Sequence, residues 1–265
     1  AKVLVWGQAM KEEVEELYPK LDSNNIIPVG LTQFDQYFKN NDIGDVARSN
    51  FLTGLGIPTD RNVILFATNA KKNSPDDPEI IELIAKEFEA QLSDLNCHLL
   101  VRLHQADEVS RYAPIFDHPR VTICSSSVPD GQTLVNWIPP KEELKKLSDF
   151  LFFSDVCLNT ASTMTLDAMI VGLPVLNIGF DINQTTARKS KQKFYRYQHW
   201  KPLLEADVLN ICRSKEELIT GIRQSIVNKP DDANKIFFAL EHLCNTGKGL
   251  AIDNILKAVE DQLNN

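Results

Sequence analysis

Apolar runs of strand length alternate with segments of helical period along nearly the whole chain, the pattern of parallel strands joined by crossover helices. The runs predict strands over Val3–Trp6, Ile26–Val29, Val63–Ala67, His98–Leu103, Val121–Cys124, Leu134–Trp137, Val156–Asn159, Val175–Ile178 and Val208–Cys212. Helical spacing predicts helices over Ala9–Tyr18, Pro78–Leu95, Lys141–Phe150, Thr163–Val171, Lys215–Val227, Asp232–His242 and Lys248–Leu263, with a further one near Asp42–Leu55. The segment from Pro78 carries its own start signal. Asp76 and Asp77 precede a proline suited to the first turn, and Ile80, Leu83, Ile84, Phe88 and Leu92 recur at three- and four-residue steps. The fold class is α/β, a Rossmann-like parallel sheet with helices on both faces, plus an N-terminal βα fragment.

Residues 1–30 read as strand, helix and strand, too little for a domain, so they are expected to belong to a sheet whose other strands lie elsewhere. Residues 31–265 hold the main domain. No internal repeat interrupts it.

Composition narrows the class. The chain has 265 residues, 43% hydrophobic and 24% charged, which excludes a disordered or collagen-like protein. With 28 Lys and Arg against 36 Asp and Glu its net charge is −8, so general nucleic-acid binding is not expected. Five cysteines form no CxxC pair, which fits a reduced compartment. Cys157, inside an apolar run, reads as a small buried hydrophobe. No run approaches the roughly 18 apolar residues of a bilayer span, so the expectation is a cytoplasmic protein.

In open parallel sheets, ligands sit beyond the carboxyl ends of the strands. Four stretches lie there. Thr68 and Asn69 open a polar loop with Lys71 and Lys72; Arg102 and His104 alternate with apolar Val101 and Leu103; Gly179 to Asn183 follows another strand. Most informative is Asn159-Thr-Ala-Ser-Thr163, small polar residues opening a helix whose first amides could meet a phosphate, with Asp167 one turn on to take a diol such as a ribose. Plainer alternatives stay open: Ser162 and Thr163 as simple caps, His104 as a core histidine, Lys71 and Lys72 as solvated charges. Trp137, before Ile138-Pro-Pro140, could stack on a base or pack in the core. Arg188, Lys189, Lys191, Lys193 and Arg196 interleave with aromatics, suiting single-stranded nucleic acid, an anionic lipid surface or a charged donor, or else a solvated loop. Dinucleotide GxGxxG, P-loop, GxSxG and HExxH motifs are absent, and no histidine pair has metal-ligand spacing.

The run Ser154-Asp-Val-Cys-Leu-Asn-Thr-Ala-Ser-Thr-Met-Thr-Leu-Asp-Ala-Met-Ile-Val-Gly-Leu-Pro-Val175 resembles the donor-site segment of GT-B glycosyltransferases. Phe194–Trp200, Leu209–Leu218 and Gly247–Ala251 look like the C-terminal portion of CDP-glycerol-transferase-like and surface-polysaccharide glycosyltransferases, and Val5–Met10 with Ile27–Gly30 like the last N-terminal-domain unit and the interdomain crossover. The resemblance implies a donor-binding half acting on a nucleotide-diphosphate sugar, with an N-terminal acceptor domain missing from this chain. It implies that Asn159, Ser162 and Thr163 receive the diphosphate, Asp167 the ribose, Arg102 and His104 the phosphates or sugar, Trp137 and Ile138 the base region, with Thr68, Asn69, Lys72 and Thr160 alongside. No cofactor or metal is implied; a peripheral contact with the inner membrane face is an expectation from the basic aromatic segment 188–200 alone. Asn159-Thr160 stands where polymer transferases often carry Asp-Tyr, which favours plain sugar transfer over polyol phosphate transfer. An isomerase resembling UDP-N-acetylglucosamine 2-epimerase is the alternative enzyme, although its Ser-Gly-Gly turn and following Glu pair are absent here. A non-catalytic membrane-docking module is the other alternative.

Overall fold

A computed structural model describes residues 2–39, 43–125, 141–182, 190–228, 232–245 and 249–264. Among them the strands are β1 (Val3–Val5), β2 (Ile26–Pro28), β3 (Asn62–Ala67), β4 (Cys97–Arg102), β5 (Val121–Cys124), β6 (Val156–Asn159), β7 (Val175–Ile178) and β8 (Ile211–Cys212). The helices are α1 (Gln8–Leu17), α2 (Asp45–Gly54), α3 (Asp77–Ala90), α4 (Lys141–Phe152), α5 (Met164–Ile170), α6 (Lys201–Glu205), α7 (Lys215–Val227), α8 (Ala233–Cys244) and α9 (Ala251–Leu263). The expected strand Leu134–Trp137 lies outside the described residues.

The chain divides into two compact units. The larger comprises Asp42–Tyr197 and Leu209–Asp231 and holds a six-stranded parallel sheet of order β5-β4-β3-β6-β7-β8. Its central strands are buried on both faces, which is why Val63-Ile-Leu-Phe66 reads as an unbroken apolar run rather than an alternating one. On one face Ile64, Phe66, Leu99, Val101, Val156 and Leu158 share a core with Ile80, Ile84 and Phe88 of α3 and Leu218 and Ile222 of α7. Fully burying each such side chain stabilises the fold by about 1.5–3 kcal/mol. On the other face α5 packs against β6 and β7. Phe51 of α2 meets Phe150 and Phe153 at ring separations of 5.7 and 5.3 Å, tying α2 to α4 and the residue that follows it.

Two element ends depart from expectation for identifiable reasons. α3 stops at Ala90 instead of running to residue 95, because Ser93–Leu95 forms its own turn and Asn96 takes a left-handed φ of 47° into β4. The last strand shrinks to Ile211–Cys212 because Asp207, with φ 53°, ends the preceding chain in a turn.

The smaller unit comprises Ala1–Asn41, Gln198–Val208 and Asp232–Asn265. Here β1 and β2 pair in parallel, Val3 opposite Ile26. The aromatic segment after β2 is a 3-10 turn, Thr32–Phe38, with Phe34 and Tyr37 buried and stacked at 6.2 Å. Buried Asp35 closes this unit by accepting the Ala251 and Ile252 amides at 3.1 and 3.0 Å, capping α9. Among the described residues no helix is long and apolar enough to cross a membrane.

Candidate functional site

From β3 the chain builds outward through β4 and β5, and from β6 in the opposite direction through β7 and β8. Connections therefore diverge between β3 and β6, the topological position at which open parallel sheets carry a ligand crevice beyond the strands' carboxyl ends. Pairing aligns the strand ends there: Ala67 lies opposite both Arg102 and Asn159, and Asn159 opposite Asn177. A hydrogen bond from Asn69 Nδ2 to the Thr160 carbonyl, 3.0 Å, spans the divergence point.

The Asn159–Thr163 turn is built differently from the open cradle its small residues suggest. The Ala161 amide donates to Tyr195 Oη at 3.0 Å, the Ser162 amide to Asn159 Oδ1 at 3.0 Å, and the Met164 amide to Ser162 Oγ at 3.3 Å. These N–H groups, expected to be free, have protein partners. Asn159 is fully buried and, through Thr165 Oγ1, joins Asn177 in a polar trio on the sheet. Thr160 is buried, and among the described residues its hydroxyl oxygen has no hydrogen-bond partner. Ser162 is half-buried and Thr163 exposed at the mouth. α5 has only seven residues, and Met164 through Met169 are all buried. Asp167 consequently does not share an open face with Thr163, as helical spacing had suggested, but is 4% exposed. Its charge, after burial, helps push the Cys157 thiol up to about 12, opposed by a hydrogen bond from Asn159.

Thr68 and Asn69 are braces. Thr68 Oγ1 accepts the His104 amide at 2.8 Å and donates to Asp107 Oδ2 at 3.2 Å. The Asn69 amide donates to Asp77 Oδ2 at 2.8 Å, and its side-chain oxygen accepts from Ala70 and Asn73. Lys72 is exposed, as is Lys71, which pairs with Glu108 at 3.3 Å. Arg102 and His104 stay near one another and half-buried. Burial, then the Arg102 charge, holds the His104 imidazole below its ordinary pKa against a smaller pull from Asp107. His104 Nδ1 accepts the Ala106 amide at 3.0 Å, so in the neutral ring Nε2 carries the proton and can donate. Beside Arg102 a cavity of about 470 Å³ opens between α2 and α4, lined by Asn50, Phe51, Cys124, Lys146 and Phe150. Trp137 and Ile138 lie outside the described residues.

A buried charge cluster stands next to the crevice, and sequence spacing gave no sign of it. Lys191 is 1% exposed and forms an ion pair with Asp76, whose second oxygen accepts the Ile182 amide at 3.0 Å. Lys191 is therefore no member of a surface basic patch; Lys193 lies over the Phe194 ring at 4.7 Å, and Arg188 and Lys189 are outside the described residues. Asp181 accepts from Ser190 Oγ at 2.6 Å and from the Lys191 amide at 3.2 Å. Burial pushes Asp77 up to about 7 despite hydrogen bonds from Ser74 and Asn69 and the Lys191 charge. Asp76 and Asp77 read along the chain as helix-start acids; their partners are up to 115 residues away. Among the described residues no group of three His, Cys, Asp or Glu side chains is arranged to hold a metal ion.

No protein-family model matches the sequence, and no curated protein matches it. Solved structures do. The wall teichoic acid polymerase TagF matches all of this chain at 17% identity with a TM-score of 0.57, the chain covering 59% of it. A UDP-GlcNAc 2-epimerase of Methanocaldococcus jannaschii, solved with UDP-GlcNAc and UDP, matches 97% of the chain at 14% identity and TM-score 0.55, with 60% of that protein covered. A Listeria monocytogenes protein described as a UDP-N-acetylglucosamine 2-epimerase matches 99% at 19% identity and TM-score 0.59, again with 60% covered. The chain spans about three fifths of the length of these structures. At such identities the likeness establishes architecture, and that architecture is a GT-B-like, Rossmann-like α/β fold.

Proposed function

We propose that this chain binds a nucleotide-diphosphate sugar at the carboxyl end of its parallel sheet and forms the donor-binding part of a glycosyltransferase in surface polysaccharide or glycolipid synthesis. The observation that carries the reading is the register at the point where the connections diverge: Ala67 lies opposite both Arg102 and Asn159, with His104 two residues beyond the first and Ser162–Thr163 three and four beyond the second. A guanidinium fork and an imidazole N–H suit adjacent diphosphate oxygens, and fixed donors there would stabilise the charge of a departing nucleoside diphosphate without a metal. Exposed Lys72 adds a cation, and Thr68, Asn69, Asn159 and Thr160 hold the rim; buried Asp167 has no open face from which to reach a ribose. The bound nucleotides of the M. jannaschii epimerase and the CDPG soaked into TagF support the ligand class. Acceptor binding and the catalytic base are assigned to the part of the architecture this chain does not match.

Calorimetric titration with UDP, GDP and CDP tests the reading. Saturable binding of at least one, unchanged by EDTA, is expected; failure of all three would count decisively against it. Epimerase neighbours favour isomerisation as the second reading. Incubating UDP-GlcNAc with the protein and no acceptor, followed by NMR, separates the two, since only an epimerase yields the C2 epimer.

A further inference from the structure

Tyr195 touches both sides of the crevice turn. Its side chain is 5% exposed, its hydroxyl donates to the Ile178 carbonyl at the end of β7 at 2.9 Å, and the same oxygen accepts the Ala161 amide at 3.0 Å. Ala161 has φ +41°, a left-handed conformation that a Cβ disfavours and that persists where surrounding contacts impose it. Tyr195 lies in the 3-10 turn Lys191–Arg196, itself fixed by the buried Lys191–Asp76 ion pair and by the bond from the Lys191 amide to Asp181. The clamp therefore runs from the N-cap of α3 through residue 191 and the phenol to the turn between β6 and α5.

We infer that Tyr195 is a positioning residue: by bridging Ala161 and Ile178 it holds the Asn159–Thr163 turn in its left-handed form, and thereby shapes the mouth where the nucleotide diphosphate binds. The ligand half of this statement rests on the reading above; the conformational half does not. Tyr195 touches no substrate and does no chemistry. Tyr195→Phe removes both hydrogen bonds at nearly constant volume. The Ser162, Met164 and Thr165 amides bond to Asn159 Oδ1, Ser162 Oγ and the Ser162 carbonyl, none of which this substitution removes.

Residue-resolved amide exchange on the whole chain tests the clamp. Tyr195→Phe should speed exchange at Ser162, Met164 and Thr165 as well as at Ala161, while amides of α3 keep their rates. Adding Ala161→Gly, which removes the Cβ that opposes the left-handed form, should return Ser162, Met164 and Thr165 toward wild-type rates. In parallel, nucleoside diphosphate affinity should fall about fivefold in Tyr195→Phe, the effect of one hydrogen bond, and recover to within about twofold in the double variant. Acceleration confined to Ala161, or no rescue by glycine, overturns the inference. So does tighter nucleotide binding in Tyr195→Phe, which would make the hydroxyl a plug in the ligand's place. If wild-type protein binds no nucleotide, the functional reading fails while the exchange experiment still decides the clamp.

Discussion

His104 Nδ1 accepts the Ala106 amide, which in the neutral ring makes Nε2 the donor that the proposed diphosphate site would use. Burial and Arg102 hold its pKa low in the free protein, and a bound dianion would raise it. Binding then takes up a proton, which must sit on Nδ1 and displaces the Ala106 amide hydrogen bond. Affinity for UDP-glucose, whose diphosphate has no proton to lose near neutrality, should rise as pH falls through the bound-state pKa and level off below the free-state value. His104→Gln keeps an N–H donor but cannot titrate, so it should flatten this profile; a profile unaltered by the substitution would remove His104 from contact with the ligand. Asp77 makes a separate prediction about stability. Its folded-state value, about 7, exceeds the ordinary aspartate value of 3.8, so the folded protein binds the extra proton between those limits. The contribution is full below the unfolded value and is lost as pH rises through about 7, with a slope of at most about 1.4 kcal/mol per pH unit. Urea titrations across that window should show the slope, and Asp77→Asn, a copy of the protonated form, should abolish it. Neither feature was legible in the sequence beyond residue type. A helix-start acid and a buried, nearly neutral one look alike along a chain, and only the fold brings Lys191 beside Asp76 and Ser74 onto Asp77.

Elements were more legible than residues, for a physical reason. Central parallel strands are buried on both faces and need continuous apolar runs, so β3, β4, β6 and β7 stand out at nearly their observed limits. Ends are fixed by single turn residues such as Asn96 and Asp207, and these carry little periodic signal. α5 shows the limit of helical spacing as a guide: its period is readable, but a seven-residue helix buried along six consecutive positions has no solvent face for Asp167 to occupy. Besides its buried apolar side chains, the Asn159–Thr165–Asn177 trio ties α5 to the sheet. Thr165→Val matches the shape yet strands the buried Asn159 and Asn177 side chains, so it should cost about 1–3 kcal/mol in chemical denaturation. A loss within experimental noise would show that the trio contributes nothing to the fold.

At the scale of the whole molecule the α/β class was written in the alternation of strand and helix, and the crevice position followed from it, because ligand sites in open parallel sheets are set by topology. The grouping of residues 1–41 with 198–208 and 232–265 was not written there, since no periodicity associates segments so distant in sequence. Nor was the pairing of the Ala161 amide, whose acceptor Tyr195 arrives from more than 30 residues away. The same chemistry at the same strand ends nevertheless makes one geometric claim: a diphosphate belongs beyond β3 and β6, between the Arg102–His104 pair and the Ser162–Thr163 mouth. Diffraction from crystals of this chain grown with a nucleoside diphosphate tests it most directly. Density for two linked phosphates within hydrogen-bonding reach of Arg102 and His104 is the predicted result. Phosphates seated instead against the exposed edge of β8 or on the smaller unit, with the crevice holding only solvent, would contradict it.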